Sequence, residues 1–216
     1  MNFWEKILYK GESPLGGEIK VVEGYGFRRL IIDGFTQSRT LNSNGRTDQH
    51  YWDKMIPADL QLGLDSRVLL LGLGAGTIAK IITKKFGPVA IDGVEIDPLV
   101  IELAKKYFDL RESNINIQVT DAKDFVKNLR YKYDLICMDV FKGGGIPKEI
   151  ETKGFFERVK ALLKEDGVLT INKIFSGKEE LDSFESFIEG IFPVVDFFIV
   201  RGNIHLDNVI VSAKKL

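Results

Sequence analysis

The chain has 216 residues, of which 44% are hydrophobic, and its 30 Lys and Arg nearly balance its 31 Asp and Glu. This size and composition suit one α/β domain with a small appendage, and the balanced charge gives no overall field that would recruit nucleic acid or an anionic membrane. No apolar stretch reaches membrane-spanning length, residues 1–6 lack the order of a signal peptide, and the single cysteine excludes an internal disulfide, so we expect a cytoplasmic protein.

Residues 1–60 are predicted to form a small β-sheet region in front of a core domain over residues 61–216. Between residues 18 and 40, apolar residues such as Ile19, Val21 and Leu30 alternate with polar ones, and glycines mark the turns. This pattern is typical of a small antiparallel sheet. A helical pattern follows over residues 48–62.

From Arg67 onward, short apolar runs alternate with longer periodic segments. The runs predict five buried strands: Val68–Leu71, Ala90–Val94, Ile115–Val119, Leu135–Val140 and Val168–Ile171. The segments between them predict helices near 77–86, 98–109, 122–129 and 152–164. Such alternation requires right-handed crossovers and a parallel sheet, which is a doubly wound, Rossmann-like α/β core.

The end of the chain departs from this alternation. After a predicted helix near 178–190, two strand-like runs, Val194–Val200 and Val209–Ala213, follow each other with no room for a helix between them. They must form a hairpin, so the sheet has seven strands and ends in an antiparallel pair. This ending is usual in S-adenosylmethionine-dependent transferases and argues against a nicotinamide Rossmann domain.

A glycine-rich loop, Leu71–Thr77, lies between the first predicted core strand and the next helix. Gly72, Gly74 and Gly76 would let a ligand approach backbone N–H groups at the start of that helix. A dinucleotide fingerprint would need glycine at Thr77, which weakens a nicotinamide interpretation further. A tight turn without a ligand is the structural alternative.

Acidic residues follow the next two strands at the same predicted edge of the sheet. Glu95 can accept hydrogen bonds from both ribose hydroxyls of an adenosine, whereas Asp97, followed by proline, is interpreted as a helix cap. Asp121 is predicted to accept the adenine amino group, with an N-cap as its alternative. Their neighbours Ile96 and Ala122 are predicted to line the same cofactor site.

Asp139 ends the fourth core strand, beside the predicted position of the sulfonium, and is interpreted as the catalytic residue, with a purely structural carboxylate as the alternative. Phe141 and Lys142 begin a glycine-rich loop that could move as a lid. Tyr51 is predicted to bind substrate, unless it only packs the small sheet onto the core. The two histidines, His50 and His205, are far apart and no thiol cluster accompanies them, so no metal is predicted.

These residues resemble the spermidine synthase (aminopropyltransferase) family, within the class I S-adenosylmethionine-dependent methyltransferase superfamily, over most of the chain. Residues 32–37 match a family turn that ends in glutamine. The resemblance implies that Gln37 contacts the nucleoside, Glu95 the ribose and Asp121 the adenine, that Asp139 is the catalytic aspartate, and that residues 141–148 form a substrate gate. It also implies a homodimer or higher oligomer.

Two departures from the family pattern matter for function. Ala75 stands where the family's glycine loop has the aspartate that holds the amino group of the aminopropyl chain. Lys142 stands where a second aspartate helps to bind the diamine, and a lysine there would repel a cationic acceptor.

Three functions follow from these observations. The leading hypothesis is methyl transfer from S-adenosylmethionine to a small acceptor, without a metal. The second is aminopropyl transfer from decarboxylated S-adenosylmethionine to an amine other than putrescine. The third is a non-catalytic nucleoside-binding subunit.

Overall fold

A computed structural model describes residues 5–48, 50–111, 113–141, 145–201 and 207–215. It contains a four-stranded antiparallel sheet and a seven-stranded mixed sheet with helices on both faces. The predicted fold class is therefore confirmed. None of the helices formed by these residues combines the length and the apolar character needed to cross a membrane.

The small sheet has the strand order β1-β2-β3-β4. Its strands are β1 (Lys6–Glu12), β2 (Glu18–Gly24), β3 (Phe27–Ile32) and β4 (Phe35–Arg39). Asp33 and Gly34 connect β3 to β4 with φ angles of 49° and 84°, the left-handed geometry of a tight hairpin turn. Strand β1 was not predicted, because none of its residues is fully buried and its sequence shows little alternation.

The helix predicted over residues 48–62 is wrong in extent. Only Tyr51–Lys54 (α1) is helical. Pro57 supplies a physical reason, since proline disfavours helical geometry in the preceding residue and has no N–H to donate. The remaining residues lead without regular structure to the first core strand.

The core sheet has the strand order β10-β11-β9-β8-β5-β6-β7, and β11 runs antiparallel to both of its neighbours. In chain order its elements are β5 (Arg67–Leu71), α2 (Thr77–Phe86), β6 (Ala90–Glu95), α3 (Pro98–Tyr107), β7 (Ile115–Val119), α4 (Ala122–Asn128), β8 (Tyr133–Met138), α5 (Lys153–Leu162), β9 (Leu163–Ile174), α6 (Lys178–Glu189), β10 (Val194–Val200) and β11 (Asn208–Lys214). Strand β9 is longer than predicted, because the chain enters it directly from α5.

The core lies in two apolar layers, one on each face of this sheet. Along β5, Val68 and Leu70 belong to one layer and Leu69 and Leu71 to the other. Because helices cover both faces of the sheet, the residues on both faces of β5 are apolar and its sequence is an unbroken apolar run.

The strand order reverses at β5, because the chain continues to β6 on one side and returns to β8 on the other. Ligands of open α/β sheets bind in the crevice at the carboxyl ends of strands at such a reversal. Here those ends carry the glycine loop after β5 and Asp139 after β8. The topology therefore brings these two predicted features together.

Candidate functional site

The glycine loop packs closely against the backbone of Asp139, directly after β8. Gly72 has a φ of 88°, and a Cβ atom there would lie 2.1 Å from the carbonyl oxygen of Asp139. Gly74 has a φ of 54°, and its Cβ would lie 2.6 Å from the Ser38 hydroxyl oxygen. The glycines are thus required for close approach of neighbouring protein atoms as well as for backbone conformation.

The N–H groups of residues 72–76 in this loop are all hydrogen-bonded within the protein. Gly72 and Leu73 donate to the Val94 carbonyl, Gly74 to Glu95 Oε2, Ala75 to Ser38 Oγ and Gly76 to the Leu73 carbonyl. These five amides thus donate within the protein, and cofactor binding by Gly72, Gly74 and Gly76 stays a prediction. The loop instead uses its donors to fix its own shape and the position of Glu95.

Glu95 is held by three backbone N–H groups at the carboxyl end of β6. Its Oε2 accepts from Gly74 at 2.9 Å, and its Oε1 accepts from Ile96 at 2.9 Å and from Asp97 at 3.1 Å. Burial raises the pKa of Glu95, and these three donors oppose that shift. Its carboxylate is thus fixed beside the loop, and ribose binding by Glu95 stays a prediction.

Asp97 is a helix cap, as predicted. Its Oδ1 accepts from Leu99 N at 2.8 Å, and Ser13 donates to its Oδ2 at 2.5 Å. Asp121 also caps a helix, through Lys123 N at 2.7 Å, while its side chain is exposed at the same edge of the sheet. A helix-capping carboxylate retains acceptor capacity, so the cap is compatible with an adenine contact.

The residues next to these carboxylates differ in exposure. Ile96 is exposed to 47%, whereas Ala122 is buried. Thr120, just before Asp121, donates its N–H to the Glu95 carbonyl at 2.9 Å, so the ends of β6 and β7 are joined. Ile96 therefore offers an apolar surface at the edge predicted to hold the adenine.

Asp139 lies directly after β8 and is held by two side chains. Tyr51 donates its hydroxyl to Oδ2 at 3.1 Å, and Asn172 of β9 donates its amide to Oδ1 at 2.9 Å. Burial raises the pKa of Asp139 to about 6, opposed by these two hydrogen bonds and reinforced by the charge of Glu95. Burial and the neighbouring aspartate raise the pKa of Tyr51 well above its ordinary value.

A carboxylate with a pKa near neutrality is matched to proton transfer at physiological pH. The raised pKa of Asp139 is compatible with its predicted role as the catalytic residue, and the Tyr51 hydroxyl orients its carboxylate. Cys137, two residues earlier, is buried, and burial raises the pKa of its thiol to about 12, so the thiol stays protonated at neutral pH.

Strand β4 joins the small sheet to the glycine loop. Ser38 is buried and accepts the Ala75 N–H at 2.8 Å, while Thr77 exchanges two hydrogen bonds with the backbone of Arg39. Gln37, predicted to contact the nucleoside, is partly buried next to this junction. Sequence reasoning missed Ser38, because a serine inside a short strand carries no signal of a contact with a distant loop.

We expect Ser38→Ala to weaken S-adenosylmethionine binding several-fold and to lower the free energy of unfolding by about 1 to 2 kcal/mol, because it leaves a buried N–H unpaired. Urea unfolding and calorimetric titration measure the two effects. Ser66→Ala is the control, since Ser66 accepts a backbone N–H in an exposed loop. Equal cofactor affinity in both variants would show that Ser38 does not shape the loop.

Only part of the predicted substrate gate, residues 141–148, lies within the described residues. Phe141 is partly buried after Asp139, whereas Lys142 lies outside the described residues, as does His205. Farther along, Ile146 and Ile150 are buried, and Glu151 pairs with Lys173 at 2.8 Å. The segment leading to α5 is therefore anchored to the core. In the described parts of the chain, no group of three or more His, Cys, Asp or Glu is placed to hold a metal ion.

Comparison with known families identifies the chain. The model of the spermine/spermidine synthase domain matches residues 56–215. The chain belongs to this family. The match begins shortly after α1 and includes Glu95, Asp121 and Asp139.

Relatives in this family carry two kinds of name. The chain is 34% identical over 116 residues to a polyamine aminopropyltransferase from Vibrio vulnificus, covering 52% of this chain and 39% of that protein. It is 39% identical over 141 residues to an N-terminal histidine N-methyltransferase from Emericella nidulans, covering 62% of this chain and 24% of that protein. The chain thus spans about two fifths of the length of the first relative and a quarter of that of the second.

Among solved structures, a probable spermidine synthase from Corynebacterium glutamicum has a TM-score of 0.82 at 21% identity. The alignment covers 97% of this chain and 80% of that structure. At this identity the similarity supports the fold, including the small N-terminal sheet that lies outside the family match.

Proposed function

We propose that the chain is an S-adenosylmethionine-dependent methyltransferase that acts on a small acceptor. The observation that carries this proposal is Ala75, which is 2% exposed, packs in the apolar core and has its N–H bonded to Ser38. The loop residues Gly72–Gly76 therefore present no carboxylate. The ammonium group of an aminopropyl donor would find no counter-charge in this loop.

The chain's own residues suit this chemistry. Bound S-adenosylmethionine would supply an already activated methyl group, so the protein mainly needs to align a nucleophile. Glu95 and Gln37 would hold the nucleoside, with Ile96, Asp121 and Ala122 along the adenine. Asp139 would orient the acceptor and take its proton, and Tyr51 and Phe141 would line the acceptor side, together with Lys142.

Aminopropyl transfer is the second candidate. It is favoured by the family match and by the Vibrio relative, and Asp139, Gln37 and Tyr51 keep the outline of an aminopropyltransferase pocket. In that reaction the same aspartate would accept a proton from the attacking amine.

Calorimetric titration with S-adenosylmethionine and decarboxylated S-adenosylmethionine tests the choice of donor. We expect the carboxylated compound to bind at least about tenfold more tightly, and turnover to release S-adenosylhomocysteine. Preference for the decarboxylated compound, with release of methylthioadenosine, would overturn methyl transfer in favour of the second candidate.

A further inference from the structure

Lys173 is a buried cation near the carboxyl end of β9. Its side chain is 4% exposed, and its ammonium group lies 2.8 Å from Glu151 Oε1 and 3.0 Å from Glu180 Oε1. The same group lies over the rings of Phe175 and Phe184, at 5.0 Å and 5.3 Å from their centroids. A buried ion pair often stabilises a fold no more than apolar side chains of the same size would. Stability alone therefore does not account for this ion cluster of one lysine and two glutamates.

Consecutive residues of β9 hold the chain on both sides of the predicted substrate gate. Asn172 donates to Asp139 Oδ1 at 2.9 Å before the gate, and Lys173 pairs with Glu151 after it. Successive side chains of a strand point to opposite faces, so these two contacts lie on opposite faces of β9. Residues 145–151 therefore cannot move away from the sheet unless the pair between Lys173 and Glu151 breaks.

The two carboxylates of the ion cluster are held to different degrees. Glu180 lies in the first turn of α6, where its Oε2 accepts from Ser176 N at 2.8 Å and from the Ser176 hydroxyl at 2.7 Å. These hydrogen bonds and the ammonium group of Lys173 hold the pKa of Glu180 at about 2. Within the described ranges, the side chain of Glu151 contacts no donor other than Lys173. Glu180 is thus the fixed partner and Glu151 the releasable one.

This difference lets Lys173 release Glu151 without being left unpaired. When Glu151 moves into solvent, Glu180 still balances the buried ammonium group, so no isolated buried charge is created. The repulsion between two carboxylates that share one ammonium group is relieved at the same time. Ile146 and Ile150 are buried and oppose the movement, so the arrangement with Glu151 on Lys173 is the more populated one.

We propose that the Lys173–Glu151 pair is a latch for residues 145–151, and that its release sets how fast the cofactor and its product enter and leave the site. Lys173 is then a positioning residue, which acts through Glu151 and touches no reacting atom. In the open arrangement Lys173 stays paired with Glu180. This inference rests on the proposed function in that a nucleoside cofactor must bind beside Asp139.

Amide hydrogen exchange of the full, ligand-free chain measures the latch directly. The N–H groups of Ile150 and Glu151 donate to the Pro147 carbonyl at 3.0 Å and 3.2 Å, so the exchange of Ile150 reports opening of this segment. We expect Glu151→Gln and Lys173→Met each to speed this exchange about fivefold. Glu180→Gln should instead slow it about twofold, because Glu151 becomes the only carboxylate paired with Lys173.

Ligand kinetics supply a readout that a purely structural role would not move. Association and dissociation of S-adenosylhomocysteine are followed by stopped-flow fluorescence. Because a latch limits both directions, Glu151→Gln should raise both rate constants about fivefold and leave the Kd within about twofold, and Glu180→Gln should lower both about twofold. Glu165→Gln is the matched control, since Glu165 pairs with Lys215 at 2.6 Å near the other end of β9, and it should change neither rate.

Faster exchange in both glutamate variants of the ion cluster, or equal exchange in all variants, would overturn the inference and leave the cluster a structural one. A changed affinity for S-adenosylhomocysteine with an unchanged association rate would also contradict it. A chain that binds methylthioadenosine in place of S-adenosylhomocysteine, with rate constants that shift in these directions, would keep the inference and overturn methyl transfer.

Discussion

Asp139→Asn is expected to lower turnover by about 10²- to 10⁴-fold, the usual contribution of a positioned general base. The amide keeps the shape of the carboxylate but cannot accept the proton. Binding of S-adenosylmethionine, measured by calorimetry, should change little, because Glu95 and the glycine loop stay in place. Turnover that persists in this variant would exclude Asp139 as the base. Absence of turnover in the unaltered chain with every acceptor tried would support a non-catalytic subunit.

The pH dependence follows from the raised pKa. In the unaltered chain, turnover should fall below about pH 6, where Asp139 becomes protonated. Asp139 binds its proton more tightly in the folded state than in the unfolded state, where its pKa is near 3.8. Protonation of Asp139 therefore stabilises the fold fully below pH 3.8, and this stabilisation is lost as the pH rises through 6. At pH 7 the ionised Asp139 therefore destabilises the fold, and Asp139→Asn should unfold at an equal or higher temperature.

Asp134→Asn is the matched control for this prediction. Asp134 lies at the other end of the same strand, where it accepts from Arg67 N and from Lys164, both at 2.8 Å. We expect this variant to lose stability and keep its turnover. A similar loss of turnover in both variants would indicate a general distortion of β8.

Gly72→Ala is expected to lower the free energy of unfolding by about 3 kcal/mol or more and to abolish cofactor binding. The new Cβ would lie 2.1 Å from the Asp139 carbonyl oxygen and 2.7 Å from its carbon. These are backbone atoms, and the Asp139 N–H donates to the Leu71 carbonyl at 2.8 Å. Neither the backbone of the glycine loop nor that of Asp139 can therefore shift easily to make room for the new Cβ. Urea unfolding and titration with S-adenosylmethionine measure both effects.

Gly87→Ala separates this clash from backbone strain. Gly87 has a φ of 84°, close to that of Gly72, but a Cβ there would meet nothing within 4 Å. The control variant should lose about 1 to 3 kcal/mol, the cost of a positive-φ backbone region that residues with a Cβ rarely adopt, and less than Gly72→Ala, which adds the clash. An equal loss at both positions would show that the loop is not packed against Asp139 as described.

The sequence predicted the order of the core elements well, because burial on both faces of a parallel strand leaves a local signal. The apolar run of β5 is such a case, whereas the antiparallel hairpin of β10 and β11 was predicted from the short connection between its strands. The same reasoning failed for residues 48–62, where a helical pattern was interrupted at Pro57. It also failed for β1, whose exposed residues leave no periodic pattern.

At the site, the sequence indicated which carboxylates would lie at one edge of the sheet, since Glu95 ends β6, Asp121 comes shortly after β7 and Asp139 directly follows β8. It could not indicate what holds them. Asn172 did leave a weak signal, as a polar residue near the carboxyl end of a buried strand, but Ser38 left none.

The sequence alone determined the fold class, the carboxylates at the sheet edge and the absence of an aspartate at position 75, because these depend on local periodicity and residue identity. Only the tertiary structure decided that the loop amides are engaged within the protein, that Ser38 holds Ala75, and that Asn172 faces Asp139. The Ser38–Ala75 and Asn172–Asp139 contacts join residues 37 and 33 positions apart. They depend on strand order and side-chain direction, which no local pattern encodes.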